Sequence, residues 1–186
     1  MEDETLISSA LEGNDDAFRM LHERYFTQVF RYAYSQTSDF HRAEELTQDI
    51  FVKVARNLPR FKRKSSFRTW LFSIGYHAAI DERRKWKRKQ NRAFFEERPF
   101  GFEDSIFPSA EDEMMQLHLR QDVSAGLEKL PFHYRTVLHL RFLEELSIAE
   151  TAKVMSKTPA AVKALQRRAM NLMKDVMGKE EDPDEA

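Results

Sequence analysis

Apolar residues recur along the chain at helical spacing. Between residues 15 and 36, Phe18, Leu21, Tyr25, Val29 and Tyr32 follow one another at steps of three and four, which draws one apolar stripe along a helix. Asn14 or Asp15 stands where the first turn needs a cap. A second stripe, Ala43, Leu46, Ile50, Phe51 and Val54, predicts a helix from about Asp39 to Asn57, ended by Pro59. A third helix is predicted over roughly Ser66–Lys89. Phe67, Leu71, Ile74, Ala78 and Asp81 lie along one side of it, with Trp70 close by. Three helices with short connections predict a compact helical domain over residues 1–90.

The period lapses after that. Residues 91–109 hold five phenylalanines, two prolines and a glycine without helical spacing, which predicts a flexible linker over 91–110. Disordered linkers rarely carry so many aromatics, so this one is expected to pack against its own domains or a partner. Helical pattern resumes near Ala110 and runs to Lys129. Pro131 then opens "PFHYRTVLHLRFLEEL". Ser147, with Glu150 three residues on, forms a capping box for a short helix to Met155. "SKT" makes a tight turn, and Pro159 suits the first turn of the next helix. Short helix, turn and longer basic helix form a helix-turn-helix pattern in a second domain over 111–178. The expectation is an all-α protein of two small helical domains, with an acidic tail at 179–186.

Composition narrows the function. There is no cysteine, hence no disulfide framework and no thiolate metal site. The six histidines are scattered and form no ligand or base pair. No Walker loop or nucleophile elbow is present. No catalytic, cofactor or metal site is therefore expected. No apolar run approaches the roughly 20 residues that cross a bilayer, and the acidic start "MEDETLISSALEGND" does not read as a signal peptide. A cytoplasmic protein without membrane insertion is expected. The formal charge of −1 hides strong segregation. Residues 53–92 carry 14 basic and 2 acidic side chains, and residues 131–178 carry 8 and 4. Residues 1–52 are net −7 and residues 93–130 net −6. Two basic blocks with acidic neighbours suggest two places for polyanion.

The two blocks differ in design. On the last helix, Val162, Leu165, Ala169, Leu172 and Val176 share one side at 100° per residue. The opposite side presents Ala160, Lys163, Ala164, Arg167, Asn171 and Lys174, with Arg168 on the flank. Small residues and long donors suit a DNA groove. The other block offers Phe67, Trp70, Phe72, Tyr76 and Trp86, preceded by the loop "FKRKSS". Aromatic faces beside cations suit single-stranded nucleic acid, each stacked base contributing about 1–3 kcal/mol. For Phe67 and Trp70 a place in the core is an equal alternative.

"FRTWLFSIGYHAAIDERRK" resembles F-x-T-W-L-x-x-I-A-x-N-x-x-x-D-x-x-R, the region 2 signature of bacterial sigma factors of the extracytoplasmic-function (ECF) group of the sigma-70 family. "RAEELTQDIFVKV" resembles their core-polymerase-binding segment. "LPFHYRTVLHLRFLEELSIAETAKVM" with "TPAAVKALQRRAM" resembles region 4. The likeness spans about residues 10–90 and 110–175. It implies a non-enzymatic subunit that binds core RNA polymerase through the β′ clamp and β subunits, recognises −35 and −10 promoter DNA and aids melting. An anti-sigma factor is the implied regulator. The implied −35 residues are Lys163, Ala164, Arg167 and Arg168. The implied −10 residues are Lys62, Lys64, Ser65, Ser66 and Phe67 in the loop, and His77, Arg83, Arg84 and Lys87 on the helix. Glu44, Glu45, Leu46, Gln48, Asp49 and Phe51 would meet the polymerase clamp. His77 stands where the family usually has Asn, and Ala160–Leu165 replaces G-T-V-K/R-S-R, with Arg167 in place of the aromatic or histidine that often precedes the last arginine. The alternative is a free-standing helix-turn-helix regulator, which would have no use for a strand-capturing helix.

Overall fold

The computed structural model describes residues 2–93, 127 and 129–178. Every regular element among them is helical. The first unit contains α1 (Asp3–Leu11), α2 (Asp15–Thr37), α3 (Phe40–Asn57), a 3-10 turn (Leu58–Arg60) and α4 (Phe67–Ala93). The second contains α5 (Phe132–Leu138), a π-helical turn (His139–Leu143), α6 (Ile148–Val154) and α7 (Pro159–Gly178). The expected linker and most of the expected 110–129 helix lie outside the described residues.

Local chemistry sets the helix starts. Asn14 accepts from the Ala17 N–H at 3.3 Å, Asp39 from Arg42 at 2.8 Å and Ser66 from Thr69 at 3.1 Å. Each satisfies one of the free N–H groups of a first turn. At α6 the capping box is complete. The Ser147 hydroxyl accepts from the Glu150 N–H, while the Glu150 carboxylate accepts from the Ser147 N–H. The helix α1 was not anticipated. It buries Leu6 and Ile7, and Asp3 accepts hydrogen bonds from Arg24 and the Tyr25 hydroxyl of α2. Gly13, at φ +91°, turns the chain between the two helices in a conformation that favours glycine.

The first core is built as the stripes require. Leu21, Tyr25, Val29 and Tyr32 of α2 are buried, as are Ala43, Leu46, Ile50, Phe51 and Val54 of α3, and Phe67, Leu71 and Ala78 of α4. Phe18 and Ile74 are only half-buried, and Asp81 is exposed. In the second unit Val162 and Ala169 of α7 are fully enclosed, with Val137, Leu140, Leu146 and Val154 around them.

The two units pack directly against each other. Arg68 of α4 donates through Nη2 to Glu144 at 2.7 Å. The Thr69 hydroxyl donates to Glu150 at 3.3 Å, and that of Thr136 to Gln36 at 3.3 Å. The Phe132 ring stacks on Tyr76 at 6.0 Å, and His139 meets the Tyr32 ring edge-on at 5.3 Å. His139 Nε2 lies 3.4 Å from Glu144. The side chains of His139 and Glu144 are each 1% exposed, so neither keeps its water shell. Burial pushes the His139 imidazole below its ordinary value of 6.5, against the pull of Glu144, and the Arg31 charge adds to the lowering. Burial works to raise the Glu144 carboxyl, but the nearby His139 and the hydrogen bond and charge of Arg68 outweigh it and hold the group below 4.5. With His139 neutral, the permanent guanidinium of Arg68 supplies that hold.

Two outcomes follow from this packing. A Cβ on Gly75 would meet Tyr32 ring carbons at 3.5–3.6 Å and Ile50 Cδ1 at 3.6 Å, ordinary contact distances. Gly75→Ala is therefore expected to stabilise the chain by about 0.5–1 kcal/mol by removing glycine from a helix interior. Calorimetry should show a melting point higher by roughly 1–4 °C. The folded-state pKa of His139 is depressed, so its contribution to stability is complete above about pH 6.5 and is lost as pH falls below that value. His22 and His133, both lowered chiefly by burial, act with the same sign. The urea midpoint should be lower at pH 5.5 than at pH 7.5, and an equal midpoint would contradict the assignment.

Candidate nucleic-acid and polymerase interface

The helix α4 carries two working faces on opposite sides. At 100° per residue, Trp70, Ser73, Ile74, His77 and Asp81 share one face. They line a groove of about 340 Å³ whose other wall is Lys53, Asn57 and Arg60. Arg68, Phe72, Tyr76 and Arg83 lie roughly 160° around the helix and face the second unit. Leu71, Gly75 and Ala78 lie between, against α2 and α3.

The groove combines an aromatic wall, an exposed imidazole, an amide and two cations. His77 is exposed and its Nδ1 pairs with the Ser73 carbonyl at 2.7 Å. Trp70 packs at a tilt against Phe61 at 4.9 Å and Phe67 at 5.7 Å and remains half-exposed. Lys53, Asn57 and Arg60 were not anticipated as members of this surface. They come from the end of α3 and the 3-10 turn, distant in sequence from the α4 signature. Only the fold brings them opposite His77.

The loop before α4 divides. Lys62 and Lys64 are exposed, and Ser65 is partly so. Ser66 is exposed, but its hydroxyl is occupied in capping α4. Phe67 is 4% exposed, held by Tyr25, Phe61 and Trp70, so it supports the groove from beneath. At the far end of α4, Arg84, Lys85, Lys87, Arg88 and Lys89 are exposed. Arg83 lies over the Phe132 ring at 5.3 Å. Trp86, the lone aromatic in the basic run, is covered by the Arg42 guanidinium at 3.9 Å. Arg42 also meets Glu82 at 3.2 Å, which ties the basic end of α4 back to α3.

On α3 the acidic segment splits in the same way. Glu44, Glu45 and Gln48 are exposed, and Asp49 is partly exposed and paired with Lys53 at 2.7 Å. Leu46 and Phe51 are buried. Phe51 packs at 4.3 Å against the His22 ring, so these two hold the surface up rather than form it. Val52, 46% exposed, is the apolar member that the sequence pattern did not single out.

In the second unit Lys163, Arg167 and Arg168 of α7 are exposed, Ala164 is half-buried, and Ala160 and Ala161 leave the helix start uncrowded. Lys163, Arg167, Asn171 and Lys174 border a shallow groove of about 280 Å³ with Ile148 of α6. Arg141 fixes the angle of α7 by donating to Gln166 at 3.0 Å and to the Leu146 carbonyl. The exposed cations and small residues of α7 share the face turned away from buried Val162 and Ala169. Among the described residues no group of histidines and acids could hold a metal ion, and no helix is long and apolar enough to cross a membrane.

Comparison with known proteins agrees with this geometry. Residues 21–89 match the family model for Sigma-70 region 2, and residues 120–173 that for Sigma-70, region 4. Together they cover about two thirds of the chain. The ECF RNA polymerase sigma factor SigX of Bacillus subtilis is 28% identical over 88% of this chain and 84% of its own length. SigW of the same organism is 26% identical over 90% of this chain and 92% of its own length. Two solved structures share the fold. CnrH, in complex with the cytosolic domain of CnrY, has a TM-score of 0.68 at 24% identity, covering 95% of this chain and 97% of its own. RpoE of Bartonella quintana, in complex with the anti-sigma factor NepR, has a TM-score of 0.64 at 20% identity over 86% and 98%. With regions 2 and 4 in order and ECF relatives along nearly its full length, the chain belongs to the sigma-70 family as a sigma factor of the extracytoplasmic-function type.

Proposed function

We propose that the two basic surfaces divide promoter recognition and that the acidic face of α3 binds polymerase. The observation that carries this reading is the exposure of three chemically distinct surfaces, an acidic one on α3, an aromatic and basic one along α4 and a basic one on α7. The face of α7 with Lys163, Ala164, Arg167 and Arg168 reads −35 duplex. The groove at His77, widened by Lys53, Asn57, Arg60 and Trp70, takes an unstacked −10 base. Lys62, Lys64 and Ser65 hold the strand that enters it, while Ser66 and Phe67 fix the loop. Arg83, Arg84 and Lys87 follow the backbone beyond. Glu44, Glu45, Gln48, Asp49 and Val52, resting on buried Leu46 and Phe51, meet a basic patch on the β′ clamp. The exposed pair Phe142 and Leu143 offers the β subunit an apolar contact. The protein itself performs no covalent chemistry. The polymerase supplies phosphoryl transfer, and the factor acts in the cytoplasm where polymerase works. The B. quintana neighbour was solved with an anti-sigma factor, which supports control of this chain by such a partner.

Run-off transcription with purified core RNA polymerase and genomic promoter fragments tests the reading. Starts at a fixed distance from shared −35 and −10 elements are expected. Lys163→Ala and Arg168→Ala should each lower promoter use about 10- to 100-fold, in line with roughly 1–3 kcal/mol per good base contact, without loss of polymerase binding. Asp49→Lys and Glu45→Lys should lower polymerase binding and leave the melting temperature within a few degrees. Equal loss of polymerase binding in all four variants would contradict the assignment. Absence of any complex with polymerase would favour a free-standing regulator.

A further inference from the structure

The groove beside His77 has a hydrogen-bonding polarity that residue types alone do not reveal. Ser73 donates its hydroxyl hydrogen to the Trp70 carbonyl at 2.6 Å. His77 pairs through Nδ1 with the Ser73 carbonyl at 2.7 Å. A carbonyl oxygen only accepts, so Nδ1 carries the hydrogen, and the neutral ring holds its lone pair at Nε2. The Ser73 carbonyl stands one turn before His77 on the same helix, so α4 itself sets this tautomer. Asn57 gives one amide N–H to the Lys53 carbonyl at 2.8 Å, which makes its Oδ1 an acceptor. Three side chains of the lining thus have hydrogens engaged by backbone carbonyls, and Ser73 Oγ, His77 Nε2 and Asn57 Oδ1 remain as acceptors. Asp81, one turn beyond His77, adds a carboxylate.

The cations belong to the other wall. Lys53 and Arg60 come from the end of α3 and the 3-10 turn, and Lys53 is paired with Asp49 at 2.7 Å. Trp70 and Ile74 add apolar surface. At about 340 Å³ the groove lies at the small end of ligand clefts, about 300–1,000 Å³, which suits a single base. The four bases bring different groups to such a lining. Cytosine and adenine carry an exocyclic amine, a donor, where thymine and guanine carry a carbonyl oxygen. An amine meets the lone pairs of the α4 wall with hydrogens, and the ring acceptor beside it suits the cations. A carbonyl oxygen in that place sets lone pair against lone pair and leaves polar groups unsatisfied, which costs binding. An asparagine at position 77 would offer a donor and an acceptor together, whereas a histidine pinned through Nδ1 offers the acceptor alone.

We infer that the groove selects an amino base, cytosine or adenine, over thymine and guanine, and that Ser73, His77 and Asn57 set this choice. The inference rests on the proposed capture of a −10 base and adds the chemical class of base that is taken.

The test uses the full chain bound to core polymerase and fork DNA from a promoter found by run-off transcription. The fork is duplex through the −35 element, and its −10 non-template strand is single. Each single-stranded position carries the four bases in turn. Affinity is read by fluorescence anisotropy at pH 8, where an ordinary imidazole is neutral. One position should favour cytosine or adenine over thymine and guanine by about tenfold. The same base without its amine, 2-pyrimidinone for cytosine or purine for adenine, should lose a similar factor. His77→Lys puts donors where the acceptor stood and should shift the preference toward thymine or guanine at that position alone. Ser73→Ala should weaken the preference, with helix content by circular dichroism unchanged. Preference for thymine or guanine at the position that responds to His77→Lys, or full affinity for the base lacking its amine, would overturn the inference. So would a preference that neither substitution alters. A polymerase complex that starts at its promoters but discriminates no base would refute the inference alone. Absence of any polymerase complex would refute the proposed function, and the inference with it.

Discussion

The structure depends on how one helix divides its circumference. An α-helix places side chains 100° apart, so α4 has room for about three stripes, and all three are occupied. One stripe, through Leu71, Gly75 and Ala78, is committed to the first core. That leaves two flanks facing away from each other. One carries Trp70 and His77 beside the end of α3; the other carries Arg68, Phe72 and Tyr76 against the second unit. Both assignments depend on the same packing, because rotating α4 to improve one flank would misplace the other. Gly75 marks where the committed stripe approaches Tyr32 and Ile50. The helix is the frame from which the groove, the basic end and the junction are all measured.

Much of this was legible because helices of this kind are locally determined. The stripe from Leu21 to Tyr32, the caps at Asn14 and Asp39, the Ser147–Glu150 box and the exposed face of α7 all follow from spacing and residue type within a few turns. What escaped is tertiary. The helix α1 has only Leu6 and Ile7 to bury, too little for a periodic signal, and its position comes from Asp3 meeting Arg24 and Tyr25. Lys53, Asn57 and Arg60 became groove residues only when α3 crossed α4. Phe67, Leu46 and Phe51 match motif positions but are enclosed. A motif records which positions matter, without separating side chains that touch a partner from those that support the ones that do. Trp86 shows the opposite case. In sequence it looks like a base-stacking platform, but Arg42 already occupies its face.

The two halves of the molecule are held together by aromatic packing like that within each, with a few charged and polar contacts added. Inside the units the enclosed side chains are mostly aliphatic and aromatic, and removing them from water is favourable whatever the orientation of their neighbours. Between the units the rings of Phe132 and Tyr76 pack together, and directional contacts such as Arg68 to Glu144 are added to them.

The π-helical turn His139–Leu143 sets the direction in which the junction points. Its wider ring, closed by the Glu144 N–H on the His139 carbonyl at 3.0 Å, accommodates one more residue than an α-helical turn would. That extra residue sets the rotation at which Glu144 leaves the helix. Loss of a single codon in this turn would restore ordinary helical winding and change the direction in which Glu144 leaves the helix, in a turn whose His139 and Leu140 are fully buried. Among descendants of this gene, the contact between the two units could therefore be altered by one small insertion or deletion, without any change in the exposed side chains of α7.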